Sequence, residues 1–286
     1  MKATKNSIEN LSTLSGTISD AYLVGQQFSK ALEFQTERLK IAQQLENKDR
    51  LTKAYIALIQ IHCRKGDVVN AEKCLKEAKT LVGLENPRLL FSEGMIFAQK
   101  SEWGKAILCY QKLLGKPTKD EDTLLINNNL GCCYIRDKQY SKAEECLKRA
   151  IVIVDKLMGR CIDTRQVSYF DIHSRSYHML IDALVSQGKL REALVIADRA
   201  KSIALNNSIK KEAKITTVPP RSYEDFQRIA KENNSSFIHY TFSFFEKNTL
   251  FIWFVPQTGK VVFKKTKISP PKELSSVLRD IVKCCV

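Results

Sequence analysis

Gln139-Tyr140-Ser141-Lys142-Ala143 is one of five places in this chain where an alanine stands in the same local frame. The others are Gln27-Phe-Ser-Lys-Ala31, Asp67-Val-Val-Asn-Ala71, Glu102-Trp-Gly-Lys-Ala106 and Lys189-Leu-Arg-Glu-Ala193. Three residues before each alanine stands an apolar or aromatic side chain: Phe28, Val68, Trp103, Tyr140 and Leu190. Seven residues after it come Ala78, Leu113, Ala150 and Ala200, with Arg38 as the exception. Nine residues before it come Tyr22, His62, Phe97, Tyr134 and Leu184. The alanines are spaced by 40, 35, 37 and 50 residues. That period predicts stacked helical hairpins from about Ile8 to Asn206, an architecture that serves as a binding surface far more often than as a catalyst.

Within each hairpin, helix A carries the ring position and helix B begins near the alanine. Gly66 and Gly188 stand five residues before Ala71 and Ala193, where the chain must turn sharply. Alanine suits a place where two helices cross closely, because a larger side chain would push them apart. The first repeat fits the frame least well, and a longer connection from about Lys156 to Arg175 precedes the last helix pair.

Hydrophobic residues make up 44% and charged residues 27% of the 286, as in an ordinary globular protein. No segment has the roughly 18 apolar residues needed to span a bilayer. The beginning, Met1-Lys-Ala-Thr-Lys-Asn, has no apolar core of the kind secretion requires, so a cytoplasmic location is expected. Net charge is +15, with 11 basic and 6 acidic residues in 216–286 and the rest of the excess before them. Such a distributed excess suits an acidic partner, and it is equally what a solvated basic surface carries. Of the nine cysteines, Cys74, Cys109 and Cys146 stand three residues after a signature alanine, where Phe34 and Ile196 stand in the other repeats. A position that accepts Phe, Ile and Cys is a packing position. Equivalent positions one repeat apart are too distant to share a metal. Cys132-Cys133 and Cys284-Cys285 are adjacent pairs without metal spacing, so no metal, cofactor or disulfide is expected.

Near Lys210 the pattern changes. Thr216-Thr-Val-Pro-Pro220 breaks helix, and Ser222-Tyr-Glu-Asp225 has the spacing of a capped helix start. Three strand-like runs follow, Ser236–Ser243, Thr249–Val255 and Val261–Lys267, with Pro256-Gln-Thr-Gly-Lys260 as a turn, which predicts a meander. Thr249-Leu-Phe-Ile-Trp-Phe-Val255 is apolar on both faces and is expected to be covered on both. Ser269-Pro-Pro-Lys-Glu-Leu begins a final helix. Three strands and two helices bury a two-sided strand poorly. Either the segment opens a larger domain, or it packs on the last hairpin.

The alanine register resembles the tetratricopeptide repeat, most closely at Asn129-Leu-Gly-Cys-Cys-Tyr134 followed by Tyr140-Ser-Lys-Ala143. Ile59 and Ile181 depart from it where that family has Gly or Ala, and Glu93 where it has Leu. The resemblance implies a mostly α fold, a right-handed superhelical array of about five hairpins over residues 8–206. A linker at 207–221 and a small α/β segment at 222–286 complete the expected organisation. That last segment is similar to the opening of a CHAT domain, a caspase-like fold. The likeness rests on Ala197-Asp-Arg-Ala-Lys-Ser-Ile-Ala-Leu205, Ser222-Tyr-Glu-Asp-Phe226, Phe237-Ile-His-Tyr240 and Leu250-Phe-Ile-Trp-Phe-Val-Pro256. The order of the two parts is similar to that in proteins of the tetratricopeptide repeat protein 28 type. Active members of the caspase-like group need a thiolate beside an imidazole. His239 lies inside a strand run and Cys284-Cys285 on the terminal helix, so neither matches that group's catalytic positions and no enzyme activity is expected.

In a stacked array helix A lines the concave groove, at positions i, i+3, i+4, i+7 and onward. This frame selects Lys53, Gln60 and Arg64 in the second repeat, and Arg88 and Gln99 in the third. It selects Leu125, Asn128, Asn129, Cys132, Ile135 and Arg136 in the fourth, and Arg175, His178 and Asp182 in the fifth. Lys53, Arg64, Arg88, Arg136 and Arg175 are expected to converge on one groove. Asn128 and Asn129 could hydrogen-bond a peptide backbone there, and arginine suits bidentate capture of carboxylates. The sequence therefore points to a scaffold holding an extended, acidic peptide segment of another protein; the same charges could also be a solvated helix face. The rival is a part of a CHAT-type cysteine protease whose catalytic residues lie elsewhere. Nucleic acid is not expected, since no aromatic-and-basic stacking platform is evident. Self-association stays open.

Overall fold

Amphipathic stretches of 12 to 23 residues become helices α1 (Lys2–Val24), α2 (Phe28–Gln44), α3 (Lys48–Lys65), α4 (Val68–Val82), α5 (Pro87–Gln99), α6 (Trp103–Leu114), α7 (Asp120–Arg136), α8 (Tyr140–Met158), α9 (Arg175–Ser186) and α10 (Leu190–Ile209). A short helix α11 (Tyr223–Glu232) and strands β1 (Phe237–Phe242), β2 (Thr249–Val255) and β3 (Val262–Lys267) follow. The computed structural model describes residues 2–83, 86–115, 119–159, 174–209 and 221–268, with backbone alone for 2–6 and 204–209. The breaker at Thr216–Pro220, the helix expected from Ser269 and Cys284-Cys285 lie outside the described residues, as does most of the connection before Arg175. The chain divides into two compact units, Met1–Thr118 and Lys119–Val286. The first unit holds three hairpins; the second holds two and the sheet. The fold is mostly helical, a series of helical hairpins ending in a small three-stranded sheet.

All five signature alanines are fully buried, as are Ala78 and Ala150 seven residues after two of them. Opposite them helix A comes close. A Cβ on Gly94 would stand 2.8 Å from the Tyr110 ring, and one on Gly131 would stand 2.7 Å from Leu147. The first repeat, with Arg38 at the small-residue position, solves the same problem from the other side. Gly16 on α1 faces the Arg38 guanidinium, which a Cβ there would meet at 2.8 Å. Ser19 uses its hydroxyl to donate to the Ala31 carbonyl at 2.9 Å, tying α1 to α2.

All five turns between helix A and helix B share one construction. The residue five before the alanine is left-handed in every case: Gln26, Gly66, Ser101, Lys138 and Gly188, with φ between 57° and 80°. Its amide and the next one return to carbonyls of helix A, as Lys138 to Ile135 at 3.0 Å and Gln139 to Tyr134 at 2.8 Å. Glycine was expected at two of these turns; the other three impose the same backbone on ordinary residues. The cysteine positions are packing sites, with Cys109 and Cys146 buried and Phe34 stacked on Tyr22 at 5.6 Å.

In the second unit, part-buried polar contacts join one hairpin to the next. Glu144 accepts from Lys148 at 2.6 Å, Lys189 at 2.7 Å and Gln187 at 2.9 Å. Burial alone would raise its pKa, but these donors outweigh burial and hold it at about 2. Asp155 accepts from the Tyr177 hydroxyl and from Arg199, each at 2.6 Å.

The capped start of α11 forms as expected, with Ser222 and Asp225 exchanging side-chain and backbone hydrogen bonds. The meander also forms, in the order β1-β2-β3 with both pairs antiparallel. β2 is buried along its whole length on both faces. The sheet packs on the last hairpin, and the Trp253 indole donates to the Leu190 carbonyl at 3.0 Å.

Candidate functional site

Three of the selected cations lie in the first unit. Lys53 on α3 is exposed and pairs with Asp49, one turn earlier, at 2.5 Å. Arg64, near the end of α3, is exposed and donates to the Leu23 carbonyl at 3.4 Å. Arg88 is exposed in the first turn of α5, where the Asn86 side chain caps its amide at 3.0 Å. Lys53 and, more weakly, Arg88 hold Asp49 below the usual carboxylate range. Gln60 is half-buried in α3 and Gln99 exposed at the end of α5.

The second unit brings Arg136, Arg175 and Asp182 together in a way that the helical frame alone did not anticipate. Arg136 ends α7, and Arg175 begins α9, which packs beside it. The loop from β1 to β2 carries Ser243-Phe244-Phe245 against these helices. The Arg136 guanidinium lies 4.9 Å from the centre of the Phe245 ring, and that of Arg175 lies 5.3 Å from the Phe244 ring. The two rings meet edge to face at 5.1 Å. Asp182, about two turns after Arg175 on the same face of α9, accepts the Phe244 amide at 2.7 Å and the Ser243 hydroxyl. Asp182 is 5% exposed, and burial pushes its pKa up to about 6 against the pull of these two donors.

Asn128 was expected to face a bound peptide. Its side chain is instead buried between helices and accepts from Ser176 at 2.7 Å, joining α7 to α9. Asp182 was likewise expected to face an open groove, whereas it holds the chain's own turn. Asn129 and Cys132 are half-buried, Ile135 buried and Leu125 exposed on the same helix. Reading helix A in isolation could not separate the side facing a neighbouring helix from the side left open. The signal for the turn was present as two consecutive phenylalanines in a polar loop, Ser243-Phe-Phe-Glu-Lys-Asn248.

Next to this turn is a cavity of about 480 Å³, lined by His178, Lys201, Tyr240, Phe242 and Phe244 among others. Lys201 reaches over the Tyr240 ring at 4.2 Å. Burial lowers the pKa of both His178 and Lys201. His239 is buried, meets Trp253 edge-on at 6.1 Å, and has neither ring nitrogen hydrogen-bonded among the described residues. Burial, with Lys201 and Arg221 nearby, pushes its pKa down to about 3. Cys63 and Cys133 are pushed up to about 12 by burial, far from thiolates at neutral pH. Among the described residues, no three His, Cys, Asp or Glu side chains gather as metal ligands, and no helix is long and apolar enough to cross a membrane.

The family described as PPR repeat matches residues 53–81 and 175–202, the second and fifth hairpins. The chain is 24% identical over 193 residues to the 43 kDa receptor-associated protein of the synapse of Tetronarce californica, and this stretch is 63% of the chain. The match spans 44% of that relative's length. Among solved structures, the chain is similar to BtubC (BKLC) from P. vanneervenii, with 21% identity and a TM-score of 0.47 over 77% of this chain and 94% of that one. It is also similar to the nearly identical TPR-like repeats of a putative kinesin light chain from Podosopora anserina. There identity is 16% and the TM-score 0.47, over 71% and 98% of the two chains.

Proposed function

We propose that this chain is a non-catalytic interaction scaffold whose helix-A faces take an extended, acidic peptide segment of a partner protein. The observation that carries the reading is the state of the helix-A arginines. Arg64, Arg88, Arg136 and Arg175 are exposed, and none is paired with a carboxylate among the described residues. Arg50, Arg199, Arg221 and Arg228 each have such a partner, whereas Arg149 and Arg191 on helix B have none among the described residues. Unpaired guanidinium groups on neighbouring helices of one unit suit bidentate capture of carboxylates. In the first unit Lys53, Gln60 and Gln99 would add contacts beside Arg64 and Arg88, and in the second Asn129 would add one beside Arg136 and Arg175. The repeat architecture supports a protein-interaction role.

The test is fluorescence anisotropy with a labelled dodecapeptide of alternating Glu and Ser, against a Gln-Ser peptide of equal length and an oligouridine of twelve nucleotides. The acidic peptide should bind best. Arg88→Glu should weaken binding by the first unit and Arg136→Glu binding by the second, each by roughly tenfold, the scale of one charge-assisted contact. Equal binding of the neutral peptide would remove the acidic reading. Tighter binding of the oligouridine would replace the peptide with single-stranded RNA, which the PPR match brings into consideration.

A second reading makes residues 222–286 the opening of a CHAT-type domain and the chain a regulatory part of a caspase-like protease. The order α11-β1-β2-β3, with β2 buried on both faces, favours it. In this reading too the described segment is a support. His239, buried against Trp253 with its pKa at about 3, is unsuited to accept a proton from a thiol at neutral pH. An encoding transcript that continues past Val286 into a His and Cys pair on strands would favour the protease reading.

A further inference from the structure

We infer that Arg136, Arg175 and Asp182 form a clamp for a turn bearing a hydroxyl residue followed by two aromatic residues, and that Ser243-Phe244-Phe245 is its built-in occupant. An outside segment then reaches these arginines by displacing the turn. The inference deepens the proposed acidic-peptide site and rests on that reading.

Each element of the clamp recognises a different part of the turn. Asp182 reads the main chain through the Phe244 amide and the side chain through the Ser243 hydroxyl. The two guanidinium groups cover one ring each. The turn is preshaped for this contact. Ser243 donates its amide to Thr249 at 2.9 Å, Glu246 donates its own to the Ser243 oxygen at 3.0 Å, and Lys265 holds Glu246 at 2.5 Å. The contact is nevertheless shallow, because Phe244 remains 44% exposed and both arginines are exposed. A shallow, ring-based hold on two cations is one that carboxylates can outcompete, since a charged partner binds arginine more strongly than a ring does.

The experiment measures affinity of the full chain for the labelled Glu-Ser dodecapeptide in five forms. These are the parent, Arg136→Glu alone, Phe244→Ser with Phe245→Ser, Phe244→Leu with Phe245→Leu, and the serine pair combined with Arg136→Glu. The leucine pair keeps apolar packing while losing the ring faces, and thermal melts verify that every form is folded. Freeing two cations from these rings should tighten binding about fivefold or more in both ring variants. Arg136→Glu should cancel the gain. In the parent, hydrogen exchange at the Phe244 amide should quicken when the peptide is added. Unchanged affinity in both ring variants, with Arg136→Glu still weakening the parent, would overturn the clamp and leave the acidic site standing. Insensitivity to Arg136→Glu in both backgrounds would overturn the clamp together with an acidic site in this unit.

Discussion

Gly131 on α7 and Leu147 on α8 touch so closely that a Cβ on the glycine would stand 2.7 Å from two carbons of the leucine side chain. Both helices are then at the distance that a glycine on one side allows. Gly131→Ala gains about 1 kcal/mol of helix propensity, yet it pushes against a fully buried leucine, at a cost of about 1–3 kcal/mol. The expected result is net destabilisation. It should shrink in the presence of Leu147→Ala, so that the double variant is more stable than the sum of the single losses. Urea melts of the four proteins check this.

Ala143, at the start of α8, has no exposed surface. Ala143→Leu is expected to cost about 1–3 kcal/mol by overpacking. Ser141→Leu, two residues away on the exposed side, should cost far less. Equal melting temperatures for the two variants would contradict the helix-crossing role of the alanine.

Gly188 turns between α9 and α10 with φ of 73°, and Lys138 makes the equivalent turn between α7 and α8 with φ of 59°. A side chain in this conformation costs about 1 kcal/mol. Gly188→Ala should therefore lose about that much stability. Lys138→Gly should change little, because relief of the same strain is offset by the greater freedom of an unfolded glycine. Thermal melts with intact helical circular dichroism distinguish the two.

Asp182 and His239 act in opposite directions on acidification. The folded Asp182 has a pKa of about 6, above its unfolded value, so its contribution is full below about pH 4 and lost as pH rises through 6. His239 is depressed to about 3, so folding binds fewer protons there and stability falls as pH drops below about 6.5. From pH 7 to 5 the first adds about 1 kcal/mol and the second removes about 2 kcal/mol. Asp182→Asn should make the loss on acidification steeper than in the parent, and His239→Phe should make it shallower. Denaturant melts of the three proteins at both pH values provide the measurement.

The repeat was legible because a helix crossing is a local, recurring demand. Ala31, Ala71, Ala106, Ala143 and Ala193 occupy equivalent places for one steric reason, and a period exposes them without knowledge of any long-range contact. Ser222 and Asp225 were readable as a cap for a similar reason, since their partners are three residues apart. The open side of helix A was not readable in this way. Asn128 and Arg136 are both on α7, and only the neighbouring α9 separates them, burying Asn128 against Ser176 while leaving Arg136 exposed.

By itself, the chain's residue pattern determined the hairpins, their small crossing residues, the capped α11 and the two-sided central strand. Tertiary structure alone decided that a loop more than sixty residues after Asp182 comes back to it, and that Phe244 and Phe245 lie under Arg175 and Arg136. Periodicity records what neighbouring turns of a helix must bury. A contact between distant segments depends on how the whole unit closes, which no local frame encodes.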